Sequence, residues 1–474
     1  MKPDSPVILL EFNELSPAVM ERFIRAGRLP NFKTLYDESQ VYITEAVERR
    51  PYLEPWIQWV NVHTGLNYAE HGIFFLGDGH KLKEKYVWDR LSDAGFRVWV
   101  CGSMNVRYDS PINGWVLPDP WTFNLAPYPE TLTPYFRFVQ CNVLEHTKDK
   151  VPLAKSDYVK FMAFMMSHGL SSSSVASITK QLVSERRGRN RWKRAAILDK
   201  LQFDLFSFVY RKLKPHFSTF FVNSTAHLQH MYWRNLEPEL FRVKPTPQEQ
   251  EEFESAILYG YQEMDLLIGR FRELVGDDAT IILCTALSQQ PCLIYEDLGG
   301  KVCYRPRDFE ELIAFAGITT RHTVTPVMAE EFHICFESEK HAADARQLLL
   351  GLQVGRRPLL CAHRDGKVLY VGCQVNDDLP QDSVLQNVHS GQSAPFFDLI
   401  YRFKEKKSGM HHPDGMLWIR RPETHHHVHV DKVALTSIAP TILDMFGILR
   451  PDSMRAEPLR FDECGSRAAA ATLG

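Results

Sequence analysis

The stretch "VILLEFNELSPAVMERFIRAG", Val7–Gly27, decides the architecture. Val7–Phe12 is an apolar run of strand length, which suits a strand buried on both faces of a sheet. After "NELSP" the apolar positions of "AVMERFIRAG" recur at helical spacing, with Ser16 ahead of Pro17 as an N-cap and Gly27 as the stop. The opening therefore reads strand, tight loop, helix.

The unit recurs down the chain. "VWDRLSDAG" reads as a helix and "FRVWVCGS" as a strand, and "FSTFFVNS" is a further strand. "QEEFESAILYGYQEMDLLIGRFRELVG" reads as one long amphipathic helix feeding the strand "ATIILCTALS". Helices alternating with buried strands predict an α/β fold: a mainly parallel, doubly wound sheet with helices on both faces. Ligands bind such sheets beyond the carboxyl ends of the strands, so the loops after Phe12, Val222 and Cys284 are expected to share one rim. "NSTAHLQHMYW", Asn223–Trp233, places His227 and His230 at what reads as a strand-to-loop exit.

Two stretches interrupt the pattern. Residues 126–214, with "SHGLSSSSV" and the basic run "SERRGRNRWKR", are expected to form a helical cap insertion. Residues 291–399 read as a small α+β insertion: "EEFHICFES", a helix over "EKHAADARQLLLGL", and a hairpin turning at Asp365-Gly366. The core is then expected to comprise residues 1–125, 215–290 and 400–474.

Composition narrows the partners. Lys and Arg number 55 against 58 Asp and Glu, so no global field favours nucleic acid, and the run Arg186–Arg194 reads first as a solvated helix face. The 9 cysteines are odd in number and never spaced C-x-x-C, which argues against a disulfide framework and for a reducing compartment. No cleavable signal pattern opens the chain, and no stretch reaches the roughly 18 apolar residues that span a bilayer. These features point to a cytoplasmic protein with no nucleic-acid or membrane partner; oligomeric state is not legible.

Three stretches, "VILLEFNELSPAVMERFIRAGRLPNFKTL", "PWIQWVNVHTGLNYAEHGIF" and "SGMHHPDGMLWIRR…VALTSIAPTILDMFGI", resemble in order and spacing the alkaline phosphatase superfamily, especially its type I phosphodiesterase and nucleotide pyrophosphatase branch. The resemblance implies two divalent cations, a threonine or serine nucleophile, and a substrate carrying a phosphate, sulfate or related anionic group. Several positions depart from that pattern. Asn13 and Glu14 stand where the family has aspartate and glycine, and Ala286 and Leu287 replace an aspartate-histidine pair. The nucleophile position falls on Pro55 or Glu54, and Ala226 replaces the aspartate of the second cation site. His230 and His411 are retained there, with His227 a weaker substitute ligand.

The resemblance thus implies at most one metal, zinc, iron or manganese, at His230 and His411, with Glu54, Glu11 or Glu14 as the third ligand. With no metal, the imidazoles would serve as acid/base groups or as donors to an anion. Glu54, Glu11, Glu14 and Asn13 are the catalytic candidates, and strand alternation should put Glu11 and Asn13 on one side. His412, Thr64 and Arg50 are candidates for substrate binding. His71 reads as a packing residue, and "HHHVHV", His425–Val430, as a loop near the pocket mouth. The function expected is that of a divergent hydrolase, transferase or lyase. The alternatives are an inactive descendant that binds a ligand or protein, and an ordinary two-metal phosphodiesterase if the alignment is out of register.

Overall fold

The computed structural model describes residues 5–122, 125–145, 153–187, 190–327, 330–403 and 406–461. Its frame is a sheet containing β1 (Val7–Phe12), β2 (Gln40–Glu45), β3 (Val98–Cys101), β4 (Gly114–Leu117), β5 (Phe217–Val222) and β6 (Thr280–Cys284). Among the described residues nine strands join it, in the order His427–Val428, β2, Asp414–Arg420, β6, β1, β5, β3, β4, with Val433–Ala434 also pairing with β2. β1 runs parallel to β5 and β6, and β3 runs parallel to β4 and β5. Asp414–Arg420 is antiparallel to both β6 and β2.

β1 is buried along its whole length because both of its faces are covered. Ile8, Leu10 and Phe12 enter one core, with Phe23, Phe32, Phe206 and Phe271 from the helices Pro17–Arg25, Pro30–Asp37, Ile197–Leu213 and Ala256–Val275. Val7 and Leu9 enter the other, with Trp59, Trp88 and Leu443 from Pro55–Thr64, Val87–Asp93 and Ile438–Met445. The sheet is therefore mainly parallel and doubly wound, and the two-residue alternation of β1 feeds two separate apolar layers.

Four local readings change. The long helix is two, Pro247–Phe253 and Ala256–Val275, parted at Ser255, whose ψ of 0° leaves the helical range. "NSTAHLQHMYW" is not a loop, because the helix Ser224–Leu236 begins directly after β5 with its apolar side against Ala256–Val275. Ile197–Leu213 lies inside the expected cap, yet Leu205, Phe206 and Val209 pack it onto the sheet. The rest of that segment holds the helices Thr133–Glu145, Lys155–Ser167 and Ser172–Ser184; Gly188 and Arg189 of the basic run lie outside the described residues.

The histidine run is not at the pocket mouth. His427–Val428 is an edge strand on β2, four strands from β1 and roughly 19 Å away at the usual strand spacing. There His429 stacks on Tyr42 and bonds Gln40 Oε1 at 2.7 Å.

Residues 302–400 carry their own apolar core, including Leu312, Phe332, Leu349 and Val371. One sheet here has the order Leu360–Asp365, Val368–Cys373, Phe332–Phe336, His322–Pro326, and the helix Glu339–Leu350 packs on it. The hairpin turns at Gly366, whose φ of 55° favours glycine. Among the described residues no helix is long and apolar enough to cross a membrane.

Leu10 is fully buried at the centre of the sheet. Leu10→Ala should cost about 2–5 kcal/mol, read as a lowered urea midpoint with the slope of the transition unchanged.

Candidate functional site

Backbone hydrogen bonds tie three loop starts together at the carboxyl end of the sheet. Asn13 N donates to Val222 O at 3.1 Å, and Glu14 N donates to Thr285 O at 3.3 Å. Glu14 has a φ of 62° and Ala286, in the loop after β6, a φ of 56°. Such left-handed geometry is uncommon for residues with a Cβ, and in Glu14 it holds a buried carboxylate at the strand exit. After β5 the helix Ser224–Leu236 delivers His230 to the same place. After β6 the short strand Ser288–Pro291 pairs antiparallel with Gly409–His412, setting Gln289 opposite His411.

Glu14, His230 and His411 meet there, with one ligand atom from each lying within 4.8 Å of the others. Glu14 Oε2 is 3.1 Å from His230 Nε2 and 3.4 Å from His411 Nε2. The far nitrogen of each ring is held by a backbone carbonyl: His230 Nδ1 by Gly409 O at 3.0 Å, and His411 Nδ1 by Leu53 O at 2.9 Å. A carbonyl only accepts, so both Nδ1 atoms carry hydrogen, and in a neutral ring Nε2 is then a bare lone pair. Two lone pairs facing one carboxylate oxygen repel unless a proton or a cation lies among them.

That arrangement fits a divalent cation. Histidine ligands of a metal usually donate their other N–H to a carbonyl or carboxylate, which fixes the tautomer. Ligand atoms about 2.1 Å from zinc in a tetrahedral set lie about 3.4 Å apart, close to the two distances here.

The carboxylate is itself held. Asn13 Nδ2 donates to Glu14 Oε1 at 2.8 Å, and Gln289 Nε2 donates to Glu14 Oε2 at 2.6 Å and to Ala226 O at 2.9 Å. Asn13 Oδ1 in turn accepts from Trp59 Nε1 at 2.8 Å. Gly409 must be glycine for this packing, because a Cβ there would lie 2.4 Å from Gln229 O and 2.5 Å from Gln289 Oε1.

Charge within the cluster is polarised. Burial alone would raise the Glu14 carboxyl, but His411 and His230 hold it well below its ordinary value. Burial, with Lys407 adding to it, lowers His230 to about 4 against the pull of Glu14. His411 rises in spite of its burial because it faces both Glu14 and Glu54. Glu54 Oε2 lies 3.4 Å from His411 Nδ1, and its side chain is 31% exposed where that of Glu14 is 3% exposed. Burial raises the Glu54 carboxyl, while His411 and Lys407 pull it down.

The other candidates separate. Glu11 is not at the rim: it is fully buried, with Oε1 2.9 Å from His63 Nε2. Glu11 and Asn13 do both face the helix Pro55–Thr64, but only Asn13 reaches the cluster. Thr64 is turned inward and donates to Val60 O at 2.6 Å, nearly three turns along the helix from Glu54. His412 points away from His411 and accepts from Asp414 N at 3.1 Å, as alternation along a strand requires. Arg50 is exposed, and its charge is felt at Cys292. His227 is exposed on the helix and lies outside the cluster. His71 packs in the core with Nε2 2.8 Å from Asn61 Oδ1.

Two contributors were not among the sequence candidates. Gln289 follows the "TALS" segment, and only its pairing with Gly409–His412 gives it a role. Lys407, just ahead of "SGMHH", is close enough for its charge to be felt at His230, His411 and Glu54. Ala286 and Leu287 are fully buried in an apolar cluster, and among the described residues Glu14, His230 and His411 form the one group of metal-ligating type.

No family model matches the sequence, and no curated protein matches it. Among solved structures, the chain is similar to phosphonoacetate hydrolase from Sinorhizobium meliloti 1021, at 12% identity and a TM-score of 0.40, over 92% of this chain and 94% of that one. It is also similar to murine ectonucleotide pyrophosphatase/phosphodiesterase 5, at 8% identity and a TM-score of 0.41, over 94% of this chain and 96% of that one.

Titration of metal-free protein with zinc should give one tight site per chain by isothermal calorimetry. Glu14→Ala, His230→Ala and His411→Ala should each weaken it on the order of 100-fold or more, and Gln289→Ala by about 10–100-fold.

Proposed function

We propose that this protein is a hydrolase for a small substrate bearing a phosphate, sulfate or related anionic group, and that it works with one divalent cation rather than two. The observation that carries this reading is the convergence of Glu14 Oε2, His230 Nε2 and His411 Nε2, with both Nδ1 protons committed to carbonyls. A divalent cation held by those three atoms would supply Lewis-acid polarisation of the anionic group. One carboxylate with two imidazoles leaves such a cation with net positive charge, which suits an anionic substrate.

The chain's own residues divide the remaining work. Asn13 and Gln289 fix the Glu14 carboxylate, and the carbonyls of Gly409 and Leu53 fix the two rings, so little reorganisation accompanies substrate entry. Glu54 is the base: it stands beside His411, opens to the cleft, and its raised carboxyl holds a proton from an attacking water at Oε2 more readily than an ordinary glutamate would. It occupies the region where the resembled family places its nucleophile, so water activated by a carboxylate replaces attack by a hydroxyl side chain. Lys407 adds positive charge on the same side and draws the anionic group inward.

Zinc-loaded protein should turn over at least one of 4-nitrophenyl phosphate, bis(4-nitrophenyl) phosphate and 4-nitrophenyl sulfate. Glu54→Gln should lower kcat by about 100-fold or more while zinc stoichiometry stays the same. Unchanged kcat in that variant would remove Glu54 from the mechanism, and metal binding without turnover of any of the three esters would favour a ligand-binding protein.

A further inference from the structure

A cleft of about 430 Å³ opens beside Glu54, between residues 51–75 of the core and the α+β module. Its size is that of a small-molecule site. The core contributes Trp56 and Phe74 to its wall, and Trp56 Nε1 donates to Phe74 O at 2.9 Å, which locks the indole in place. The opposite wall is the sheet of the module. His333 and His363 flank Tyr370 as its cross-strand neighbours, so three flat rings form a row on one face.

The next row on that face, toward Glu54, is different. Cys361 pairs with Gly372, and a Cβ built on Gly372 would lie 3.4 Å from Cys361 Sγ and 3.8 Å from the Glu331 side chain, which is ordinary contact. A side chain would therefore fit the backbone there, and its absence leaves a hollow in the cleft wall. The two walls are held in register. Lys81 Nζ bonds Asp78 and Asp365, each at 3.0 Å, and Tyr370 Oη at 3.1 Å, and Phe75 stacks on Tyr370 across the junction.

We infer that this cleft is the subsite for the non-reacting part of the substrate and that it takes a planar aromatic ring, laid over the hollow at Gly372 against Trp56 and Phe74, with the edge of the Tyr370 row beside it. The inference rests on the proposed hydrolase reading, because Glu54 joins the cleft to the metal-ligating cluster and so orients the substrate: ring in the cleft, anionic group at His230 and His411. Phe75 already covers the face of Tyr370, so stacking comes from Trp56 and Phe74 and the Tyr370 row offers edge contacts, which together favour a flat ligand. The α+β module is thereby the specificity element of the protein, since without it the cleft has one wall.

The test compares phenylphosphonate with cyclohexylphosphonate, which lack an ester bond to hydrolyse and carry the same charge on a flat and a puckered ring, by calorimetric titration into zinc-loaded protein. Phenylphosphonate should bind about tenfold more tightly. Gly372→Val, which fills the hollow with a residue suited to a strand, and Phe74→Ala should each abolish that preference, with zinc stoichiometry and circular dichroism unchanged. Equal binding of the two phosphonates by the unaltered protein, or a preference that survives in Gly372→Val, would overturn the inference. If neither phosphonate binds while zinc does, the anionic-group reading fails by itself, and phenol decides the ring subsite. Phenol binding that Gly372→Val removes sustains the subsite, and no phenol binding overturns it.

Discussion

The constraint on which the site depends is electrostatic: one buried carboxylate oxygen faces two imidazole nitrogens whose partner nitrogens have already spent their hydrogens on backbone carbonyls. Glu14 Oε2, His230 Nε2 and His411 Nε2 are therefore three electron-rich atoms pressed together, an arrangement stable only with positive charge among them. Without a metal, the extra proton falls to His411, which faces both Glu14 and Glu54. With one, the same geometry is a ligand set whose tautomers are fixed in advance. Much of the surrounding structure serves this constraint: the left-handed turn at Glu14, the glycine at 409 and the amides of Asn13 and Gln289.

A second constraint is where the carboxylates come from. In the resembled family an aspartate follows the strand that corresponds to β5; here that position is Ala226, buried and apolar. The acid arrives instead from the exit of β1, three residues beyond Glu11. The end of the strand separates their fates. Glu11 is buried against His63 in the layer beneath the rim, whereas Glu14 lies past the end of the strand, where the turn frees its side chain from the pleat. Similar chemistry at two nearby positions thus ends as a core pair in one case and as part of the candidate site in the other.

The α+β module supplies one wall of the cleft beside Glu54. It folds around its own core and meets residues 74–81 of the rest of the chain through Lys81, Asp78, Phe74 and Phe75, while one face of its sheet forms one side of the cleft. A rigid sheet with alternating side chains can present rings in one row and a vacancy in the next, a pattern that loops hold less well.

By itself the sequence determined the doubly wound sheet, because buried parallel strands and their covering helices leave local apolar periods that survive without any partner in view. Through the family resemblance it also paired His230 with His411 and left Glu14 as one of three candidate acids. It did not show that "NSTAHLQHMYW" continues as helix, since the apolar positions of that stretch match either reading until Ala256–Val275 packs against it. Only the tertiary structure chose Glu14 over Glu11, turned His412 and Thr64 away, sent the His425–Val430 run to the far edge, and brought in Gln289 and Lys407. Those outcomes depend on strand register and on the direction of single side chains, which are set by pairings between residues more than a hundred positions apart and leave no local trace in the chain.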